Sequence, residues 1–320
     1  MSARKKFSAS RSGFCNGSWN SSKRKMRNPL NLREIAPLDL PAQAPNVLTV
    51  DVEEWYHVNY HSADWSRIDT SISRVRENTA DILRALEPQE SKATFFILGS
   101  VAERHPDLVK AIAADGHEIA CHSYSHKLIY EQNPAAFKED VARAADVLSG
   151  LAGRKVIGFR APSCSITERN PWALDVLCES GFLYDSSIFP IHNYMYGVAG
   201  FPVHPCRITT AAGNSLIEIP PQAMEFGRLR IPFGGGIYLR LLPSFLQRAL
   251  VSITHSRGDS FMLYFHPSDI DRRHIKIDLS LKESFFNNVG RRSGRNKILR
   301  LLNDFRWTTI ARAYSASLRE

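Results

Sequence analysis

The fold is decided by the stretch Glu118-Ile119-Ala120-Cys121-His122-Ser123-Tyr124-Ser125-His126. Its first residues form a short, largely apolar run that predicts a buried strand, and the polar residues after it predict a loop or a first helical turn. His122 and His126 are four residues apart, so in a helical turn both imidazoles would lie on one face. Neutral imidazole binds Zn, Co, Ni or Fe. The pair therefore indicates a metal site, with two exposed histidines on a helix as the alternative.

Two imidazoles leave a metal ion under-coordinated, so a carboxylate ligand is expected from another segment. The best donors lie in residues 51–54, directly after the apolar strand predicted over residues 46–50. Acidic residues at the carboxyl end of a strand are in the usual place for chemistry in α/β folds. On an extended strand Asp51 and Glu53 point to one face and Glu54 to the other. This alternation favours Glu53 over Glu54 as the ligand.

Apolar strands alternate with amphipathic helices along most of the chain, which predicts an α/β fold with parallel strands. The pattern alone does not decide whether the sheet closes into a barrel. Residues 190–240 are rich in Gly and Pro and predict loops with one strand at 216–219, and residues 280–320 predict basic helices. Further strands are predicted at 93–98, 156–160, 182–185 and 261–265, and helices at 73–86, 101–114, 134–148, 171–179 and 242–254.

The positive charge is concentrated at the start of the chain. Residues 1–33 contain nine Lys or Arg and no acid, whereas the whole chain has a formal charge of +9, so the remainder is near neutral. We expect a basic disordered tail with a Pro-rich hinge over residues 1–45, a main domain over 46–275, and a basic helical extension over 276–320 packed on it. The tail could contact an anionic membrane surface, with a solvated extension as the alternative; we expect no nucleic-acid partner.

The five cysteines are scattered and contain no C-x-x-C pair, which argues against a disulfide framework and a thiolate zinc site. The tail lacks the apolar core of a secretory signal, and no apolar run approaches the ~20 residues needed to span a bilayer. We therefore expect a cytoplasmic protein. Peripheral attachment to the inner face of the membrane is the alternative. No obligate protein partner is expected.

Polar residues follow several of the predicted strands, and in a parallel barrel such strand ends converge on one face. A metal ion there would polarise a carbonyl and acidify a bound water, a carboxylate would take the proton from that water, and an imidazole would protonate the leaving group. This combination suits the hydrolysis of an amide or ester. The residues in question are Asp51, Glu53, His122, His126, Arg160, Asp185 and His266.

The order of these segments resembles the polysaccharide deacetylases of the NodB-homology type, also called carbohydrate esterase family four. The resemblance covers roughly residues 46–270. Details such as Phe233-Gly234-Gly235-Gly236 are similar to the subgroup found with exopolysaccharide and exosortase (PEP-CTERM) loci. The matching motifs are Thr49-Val50-Asp51-Val52-Glu53, His122-Ser123-x-x-His126, Arg160-Ala161-Pro162, Tyr184-Asp185-Ser186-Ser187 and Leu263-Tyr264-Phe265-His266.

The resemblance implies a distorted (β/α) barrel of about seven parallel strands that removes acetyl groups from N-acetylated sugars. It also implies a divalent metal, with Zn as the default and Co, Ni or Fe as alternatives. A backbone N–H near Ser163 would face the oxyanion. The remaining implied roles are Asp51 as catalytic base held by Arg160, Glu53, His122 and His126 as metal ligands, and His266 as catalytic acid oriented by Asp185.

Two positions depart from the family pattern. Val52 stands where the commonest family motif has a second aspartate, and Ser163 stands where the third motif usually ends in Tyr. The aromatic segment 55–72 is interpreted either as a wall of the substrate site or as a packed surface lid. The glycines at 234–236 are interpreted as a tight turn, and His57 is expected at the surface or in packing.

Three functions follow. The leading prediction is a metal-dependent N-deacetylase acting on an amino-sugar polysaccharide or its lipid-linked precursor, in exopolysaccharide biosynthesis. The second keeps the fold and hydrolyses a small cyclic amide, as allantoinase-like members of the family do. The third is a non-catalytic carbohydrate-binding relative with a vestigial site.

Overall fold

A nine-stranded sheet organises the protein in the computed structural model, which describes residues 30–39, 44–191, 196–273 and 275–319. Seven of these strands are parallel, in the order β8-β6-β5-β4-β3-β2-β11; β7 is antiparallel to β8 and β1 is antiparallel to β7. A separate hairpin is formed by β9 and β10. The strands are β1 Glu34–Pro37, β2 Val47–Val52, β3 Thr94–Ile97, β4 Glu118–Cys121, β5 Gly158–Phe159, β6 Tyr184–Asp185, β7 Cys206–Thr209, β8 Ser215–Glu218, β9 Ala223–Phe226, β10 Leu229–Pro232 and β11 Met262–Phe265.

Helices connect the parallel strands and cover the sheet. Every residue of β2, β3 and β4 is buried, as expected where a parallel sheet is covered on both faces. The helices are α1 Val75–Leu86, α2 Gly99–Arg104, α3 Pro106–Ala114, α4 Pro134–Ala152, α5 Trp172–Glu179, α6 Gly236–Leu241, α7 Ser244–Ser256, α8 Leu281–Asn288, α9 Arg291–Asp304 and α10 Ile310–Ala313. None of the helices in the described ranges is long and apolar enough to cross a membrane.

The predicted α/β class is confirmed, and the curled sheet is a half-barrel whose seven parallel strands match the predicted number. Among the described residues no strand pairing joins β8 to β11, so loops complete the wall. The carbonyl of Gly234 accepts the N–H of Tyr264 at 2.8 Å, and the side chain of Gln222 accepts the N–H of Met262 at 2.9 Å. A Cβ on Gly235 would lie 2.1 Å from the Tyr264 carbonyl oxygen. The close approach to β11 therefore requires glycine there.

The predicted tail was wrong for the residues next to the domain. Leu30 and Leu32 are buried in the core, and β1 pairs along its whole length with β7. The partner strand β7 lies in the segment predicted as loop. No residue near β1 in the sequence therefore indicated that β1 pairs with another strand. The basic residues of the tail before residue 30 lie outside the described residues.

Two other stretches differ from the predicted elements. The helix predicted over residues 101–114 is interrupted at His105, whose extended backbone precedes Pro106, because a residue before proline disfavours the helical conformation. Residues 190–240 contain β7, β9, β10 and α6 in addition to β8, which was predicted. The unpredicted strands β7, β9 and β10 are only four residues long, so their apolar–polar alternation is too short to indicate a strand. They pair with neighbouring short strands or with β1.

The C-terminal segment packs on the sheet at the amino ends of the strands. Thr308 lies against β2, donating its N–H to Asn46 at 2.9 Å and accepting the N–H of Leu48 at 3.2 Å. The N–H of Ile310 donates to Thr94 Oγ1 at 2.8 Å. The predicted helical character of residues 280–320 is seen in α8, α9 and α10. These contacts leave the carboxyl ends of the strands as the open face.

Candidate active site

The carboxyl ends of four parallel strands bring the predicted polar residues into one pocket. Asp51 lies in β2, His122 follows β4, Arg160 follows β5 and His266 follows β11. The pocket has a volume of about 330 Å³, and its walls include Asp51, His122 and His266. The convergence follows from the parallel order of the strands, since neighbouring carboxyl ends share one edge of the sheet.

Glu53, His122 and His126 form a buried cluster with the composition of a metal site. One ligand atom from each lies within 4.8 Å of the others. Glu53 Oε2 is 2.6 Å from His126 Nε2 and 3.6 Å from His122 Nε2, yet this buried oxygen has no hydrogen bond of acceptable geometry. An orphaned carboxylate oxygen between two imidazole nitrogens fits a divalent cation bound by nitrogen and oxygen ligands.

The imidazole of His122 is held in the orientation that metal binding needs. Its Nδ1 lies 2.8 Å from the carbonyl oxygen of Arg160, so this nitrogen donates and Nε2 faces Glu53 as an acceptor. Such a bond on the second ring nitrogen orients the histidine ligands of many metal sites. Burial opposes ionisation of Glu53, but His126, His122 and His266 together hold the pKa of its carboxyl group well below the usual value.

The two histidines meet through a loop rather than through a helical turn. Ser123 and His126 have positive φ angles of 67° and 58°, so the i, i+4 helical geometry does not apply. Ser123 Oγ accepts the N–H of His126 at 3.2 Å, and the Asp140 carboxylate accepts the N–H of Tyr124 at 2.8 Å. The loop predicted as one of two alternatives is confirmed, and the ring centroids of the histidine pair are 5.5 Å apart.

Glu54 points away from the cluster, as strand alternation predicts for it. Its carboxylate accepts the N–H groups of Arg74 and Val75 at 3.0 and 3.3 Å and the hydroxyl of Ser73. These groups form the start of α1, where a carboxylate is favoured by the exposed N–H donors of the helix. The geometry therefore places Glu53, and not Glu54, against the two imidazoles.

Arg160 fixes the carboxylate of Asp51. Its Nη1 donates to Asp51 Oδ1 and to Thr49 Oγ1, each at 2.8 Å, and its Nη2 donates to Ser186 Oγ at 2.8 Å. The guanidinium is fully buried over the ring of Phe96, with its carbon 4.2 Å from the ring centroid. Asp51 is therefore held with one oxygen committed to Arg160. The pairing of Arg160 with Asp51 agrees with the role that the resemblance implies for Arg160.

His266 is oriented by Asp269 and not by Asp185. Its Nδ1 lies 3.1 Å from Asp269 Oδ2, which also accepts the backbone N–H of His266 at 2.9 Å. Its Nε2 lies 3.9 Å from both Asp51 Oδ2 and Glu53 Oε1. Burial lowers the pKa of His266, but the hydrogen bond to Asp269 and the charges of Glu53, Asp269 and Asp51 raise it to about 9.

Asp185 belongs to a different buried network, which is why the predicted role fails. Its Oδ1 accepts the hydroxyl of Ser187, and Ser187 Oγ accepts the N–H of Ala161 at 2.7 Å. Burial raises the pKa of Asp185 to about 6, and burial with the Asp185 charge raises the pKa of Glu218 well above its usual value. Asp185 therefore belongs with Ser187 and Glu218, whereas Asp269 contacts His266.

Two residues of the aromatic segment reach the site, and the sequence analysis did not predict them as site residues. The ring of His57 stacks on His126 with centroids 5.5 Å apart, and its Nδ1 accepts the N–H of Glu54 at 3.1 Å. Asn59 Nδ2 donates to Ser163 Oγ at 2.9 Å. His57 lies four residues after Glu53, and its proximity to the predicted ligand was the available signal. Residues 57–60 line the pocket, which supports the substrate-wall interpretation of this segment.

The loop after β5 presents Ser163 to the pocket. Ser163 and Cys164 both have φ angles of 51°. The N–H groups of Cys164 and Ser165 donate to the carbonyls of Ala161 and Pro162, whereas in the described part of the chain the Ser163 N–H has no acceptor. A free backbone N–H on the pocket wall is the donor that an oxyanion needs.

The opposite wall of the pocket is largely aromatic and aliphatic. It comes from the segment after β6 and from the C-terminal helices, and two guanidinium groups, those of Arg240 and Arg291, lie within it. Apart from Tyr264, which lies in β11, these wall residues were not predicted, because they lie in irregular segments or on helices without a motif. The apolar members are Phe189, Tyr196, Ile237, Tyr238, Leu241, Tyr264 and Phe286.

Two family models match adjacent parts of the chain. Residues 57–177 match the model described as polysaccharide deacetylase, and residues 186–315 match one described as a domain of unknown function (DUF3473). The first match contains His122, His126 and Arg160, and the second contains His266 and Asp269. The pocket is therefore built from both matched segments together with the end of β2.

Curated relatives that resemble this chain also have names that include the word deacetylase. A peptidoglycan-N-acetylglucosamine deacetylase of Bacillus cereus is 37% identical over 100 residues, which is 31% of this chain and 36% of the relative. A peptidoglycan deacetylase-like protein of Gibberella zeae is 28% identical over 61% of this chain and 60% of its own. A chitooligosaccharide deacetylase of Rhizobium leguminosarum is 27% identical over 36% of this chain and 49% of its own. The chain thus spans less than two thirds of the length of each of these relatives.

Solved structures share the fold. A crystal structure from Mycobacterium smegmatis assigned to the polysaccharide deacetylases has a TM-score of 0.55 at 21% identity, over 90% of this chain and 95% of that one. The Puue allantoinase has a TM-score of 0.55 at 16% identity, over 87% and 92% of the two chains. The resemblance to polysaccharide deacetylases is supported by the family model and the relatives. The exopolysaccharide subgroup stays a prediction.

Proposed function

We propose that the protein is a metal-dependent hydrolase that removes N-acetyl groups from an amino-sugar polysaccharide or its lipid-linked precursor. The observation that carries the proposal is the grouping of Asp51, His266 and the Glu53–His122–His126 cluster around one pocket, with Asp51 Oδ2 and His266 Nε2 3.9 Å apart. A carboxylate and an imidazole at this separation can act on the same amide, one on each side of the carbon–nitrogen bond.

Glu53, His122 and His126 are the residues that would hold the metal. The orphaned Glu53 oxygen and the oriented His122 ring are the observations that fit a cation. A divalent ion bound there supplies Lewis acidity toward a carbonyl and lowers the pKa of a bound water toward ~7. Zn is the default for two imidazoles and a carboxylate, with Co, Ni or Fe as alternatives.

Asp51 is proposed as the general base. Arg160 holds one of its oxygens and leaves the other facing His266 across the pocket. A carboxylate fixed in this way can take a proton from a water molecule without first reorienting, because its rotation is restricted by the hydrogen bond from the buried Arg160 guanidinium. Arg160 therefore acts as a positioning residue for the base.

His266 is proposed as the general acid. The raised pKa keeps the imidazole protonated at neutral pH, so its Nε2 can deliver a proton to the departing nitrogen of the amide. Asp269 takes the positioning role predicted for Asp185, because its carboxylate contacts Nδ1 directly. The N–H of Ser163 is proposed as the donor to the oxyanion.

The substrate class comes from the relatives and the pocket together. The names of the relatives specify N-acetylglucosamine in peptidoglycan and chitooligosaccharides, which share an N-acetylated amino sugar. The pocket offers aromatic surfaces at Tyr238 and Tyr264 beside the polar cluster, and such surfaces pack against sugar rings. The finer assignment to exopolysaccharide synthesis, and to the cytoplasmic side of the membrane, rests on the sequence resemblance and the basic tail.

Metal content and acetate release test the proposal. The purified protein is expected to bind about one divalent ion per chain, and His126→Ala is expected to lose it, because two ligands hold zinc far more weakly than three. The metal-loaded protein should release acetate from N-acetylated oligosaccharides. Absence of metal binding after incubation with Zn, Co and Ni would refute the mechanism. Hydrolysis of a cyclic amide without acetate release from sugars would favour the allantoinase-like alternative.

A further inference from the structure

An exposed apolar patch lies on α6, α7 and α8 beside the pocket. Its members are Leu241, Phe245, Leu281 and Phe285, whose exposed fractions are 49%, 76%, 94% and 56%. Single exposed apolar side chains are ordinary, but four large ones on neighbouring helices are a feature that monomeric soluble proteins seldom carry without a purpose. We therefore expect that another surface covers the patch.

The ends of α6 and α8, which both carry residues of the patch, lie against each other. The Arg240 guanidinium donates to the carbonyls of Phe286 and Asn287, both at 2.9 Å, which fixes the end of α6 against the end of α8. The Phe285 and Phe286 rings are 5.7 Å apart. Leu281 lies four residues before Phe285, so the two share one face of α8.

The patch also borders the mouth of the pocket. Leu241 belongs to the patch and to the pocket wall, and Phe286, which contacts Phe285, lines the same wall. Phe245 follows Leu241 by four residues, across the turn between α6 and α7. Whatever covers the patch would therefore stand beside the opening through which substrate reaches Asp51 and His266.

The charges around the patch are predominantly positive. From α6 to α9 the exposed acids are Asp304, which pairs with Arg248 at 3.6 Å, and Asp278, just before α8. Glu283 is only partly exposed, and its carboxylate accepts the N–H groups of His61 and Ser62 at 3.0 and 3.1 Å. The exposed basic residues are Arg248, Lys282, Arg292 and Arg300.

We propose that this patch docks on the surface of an anionic phospholipid bilayer. Large apolar side chains flanked by Lys and Arg are the composition of interfacial segments that lie in the headgroup region, where the apolar groups enter the acyl boundary and the cations meet anionic headgroups. A protein partner or a second copy would not require the basic border. The bilayer is the occupant that uses both features.

Docking would turn the pocket toward the membrane surface. This consequence rests on the proposed function: a deacetylase held in this way would act on a saccharide joined to a lipid anchor, whose sugar lies at the height of the headgroups. The apolar wall at Leu241 and Phe286 would face the lipid end of such a substrate. Lipid binding by the patch itself stands whether or not the deacetylase proposal holds.

Vesicle co-sedimentation of the full chain tests the inference. We compare the wild type with a Leu281→Ser/Phe285→Ser variant on vesicles of phosphatidylcholine alone and of phosphatidylcholine with phosphatidylglycerol. The variant is expected to partition at least about tenfold less strongly to anionic vesicles, because two apolar side chains no longer enter the bilayer. The matched control is Phe226→Ser/Leu229→Ser, which removes two exposed apolar residues from the β9–β10 hairpin and should bind like the wild type.

The basic residues 1–33 are present in every variant, so a difference between variants reports the patch. At about 1 M salt, where the Debye length is about 3 Å, binding through the tail is screened and the remaining binding should depend on Leu281 and Phe285. Equal binding by wild type and patch variant would overturn the inference. So would the absence of wild-type binding, or a wild-type dimer that the patch variant converts to monomer without any lipid dependence.

Acetate release separates this inference from the proposed function. The patch variant should deacetylate a water-soluble N-acetylated oligosaccharide at the wild-type rate, because neither Leu281 nor Phe285 lines the pocket. Failure of the wild type to release acetate while it still binds vesicles would refute the deacetylase proposal alone. Normal acetate release without vesicle binding would refute the docking alone.

Discussion

The two ends of the parallel sheet each bury a glutamate, and the surroundings of these glutamates differ. At the amino end the Glu118 carboxylate accepts the Tyr184 hydroxyl at 2.8 Å, the Thr94 hydroxyl at 2.7 Å and the Ala311 N–H at 2.9 Å. At the carboxyl end, Glu53 Oε2 lies between two imidazoles without a hydrogen bond of acceptable geometry. The same residue type is thus fully hydrogen-bonded at one end of the sheet, and at the other it has an oxygen without a hydrogen bond between two imidazoles.

Glu118 and Glu53 show how the burial of a carboxylate should be interpreted. A buried carboxylate costs free energy unless its oxygens are satisfied, so natural structures satisfy them by hydrogen bonds or by a cation. Glu118 has the first solution, since its donors come from three elements that meet only at that end of the sheet. Under the proposed function, a cation is the solution for Glu53. Substitutions at the amino end should therefore alter stability, and substitutions at the carboxyl end should alter turnover.

The largest effect is expected for Asp51→Asn. The amide keeps an acceptor for Arg160 but cannot take a proton, so kcat should fall by about 10³-fold, within the range for loss of a general base. Steady-state acetate release measures this fall. Metal content should stay at the wild-type value, whereas the midpoint of thermal unfolding should fall because the buried Arg160 guanidinium loses its paired charge, so kcat is measured at a temperature where the variant is folded. A variant that retained kcat would remove Asp51 from the mechanism.

The next effect separates the two carboxylates proposed to orient His266. Asp269→Asn should lower kcat by about 10²-fold, because the imidazolium loses the carboxylate that contacts its Nδ1. Asp185→Asn is the matched comparison and should lower kcat much less, since Asp185 bonds to Ser187 and faces Glu218. The reverse order of the two variants would restore the role that the sequence motif implied for Asp185.

At the amino end, Glu118→Gln should destabilise the fold by about 1–3 kcal/mol, the usual cost of leaving a buried hydrogen-bonding group without its partner. The glutamine amide nitrogen accepts no hydrogen bond, so in either orientation of the amide at least one of the Tyr184, Thr94 and Ala311 donors loses its acceptor. Urea unfolding measures the change, and kcat of the folded variant should be unaltered. Glu139→Gln, at an exposed position on α4, is the control and should leave both quantities unchanged.

Asn59→Ala tests how the aromatic segment supports the site at the carboxyl end of the parallel sheet. Loss of the 2.9 Å bond to Ser163 Oγ should lower kcat about tenfold with little change in KM, because the proposed oxyanion donor loses a positioning contact. A double variant with Ser163→Ala should be no slower than the slower single variant, since both remove the same bond. Additive losses would show that Asn59 acts on something other than Ser163. Asn288→Ala on the outside of α8 is the control.

The smallest expected effect is a pH dependence of stability from His117, next to Glu118. Burial, helped by the charge of Lys92, lowers the pKa of His117 from its ordinary value to about 4. Between pH 6.5 and 4 the unfolded chain therefore binds a proton that the folded chain does not. The contribution is fully present above pH 6.5 and is lost as the pH falls through this window.

His117→Asn provides the comparison for that pH dependence. The asparagine oxygen can accept the N–H of Ala93 that His117 Nδ1 accepts at 3.1 Å, but it does not titrate. Urea unfolding of both proteins from pH 7 to pH 4 should show a smaller loss of stability in the variant. Parallel curves would mean that His117 does not contribute to the acid sensitivity.

Residues next to strand ends were predictable because the information is local. The apolar run before Asp51 and the one before His122 predict buried strands, and strand alternation separates Glu53 from Glu54. The parallel order of these strands follows from the helices between them. Their polar ends then meet at one edge of the sheet, and the structure shows this for Asp51, His122 and Arg160.

Contacts between segments far apart in sequence were not predictable. The contact between Asp269 and His266 is different, because the two residues are only three apart in one capping turn; it was missed because the family motif implied Asp185 for this role. His57 and Asn59 reach His126 and Ser163 only because the chain folds back over the pocket after β2. No period or motif marks such a return.

From the sequence alone follow the α/β class and the strand ends at which Glu53, His122 and His126 meet, because strand period and the spacing of polar residues are properties of short segments. The tertiary structure was needed to place β1 in the sheet and to bring apolar side chains of helices from the C-terminal half beside the pocket. These outcomes depend on which surfaces meet when the core closes. Packing of the whole chain sets that, and no local pattern encodes it.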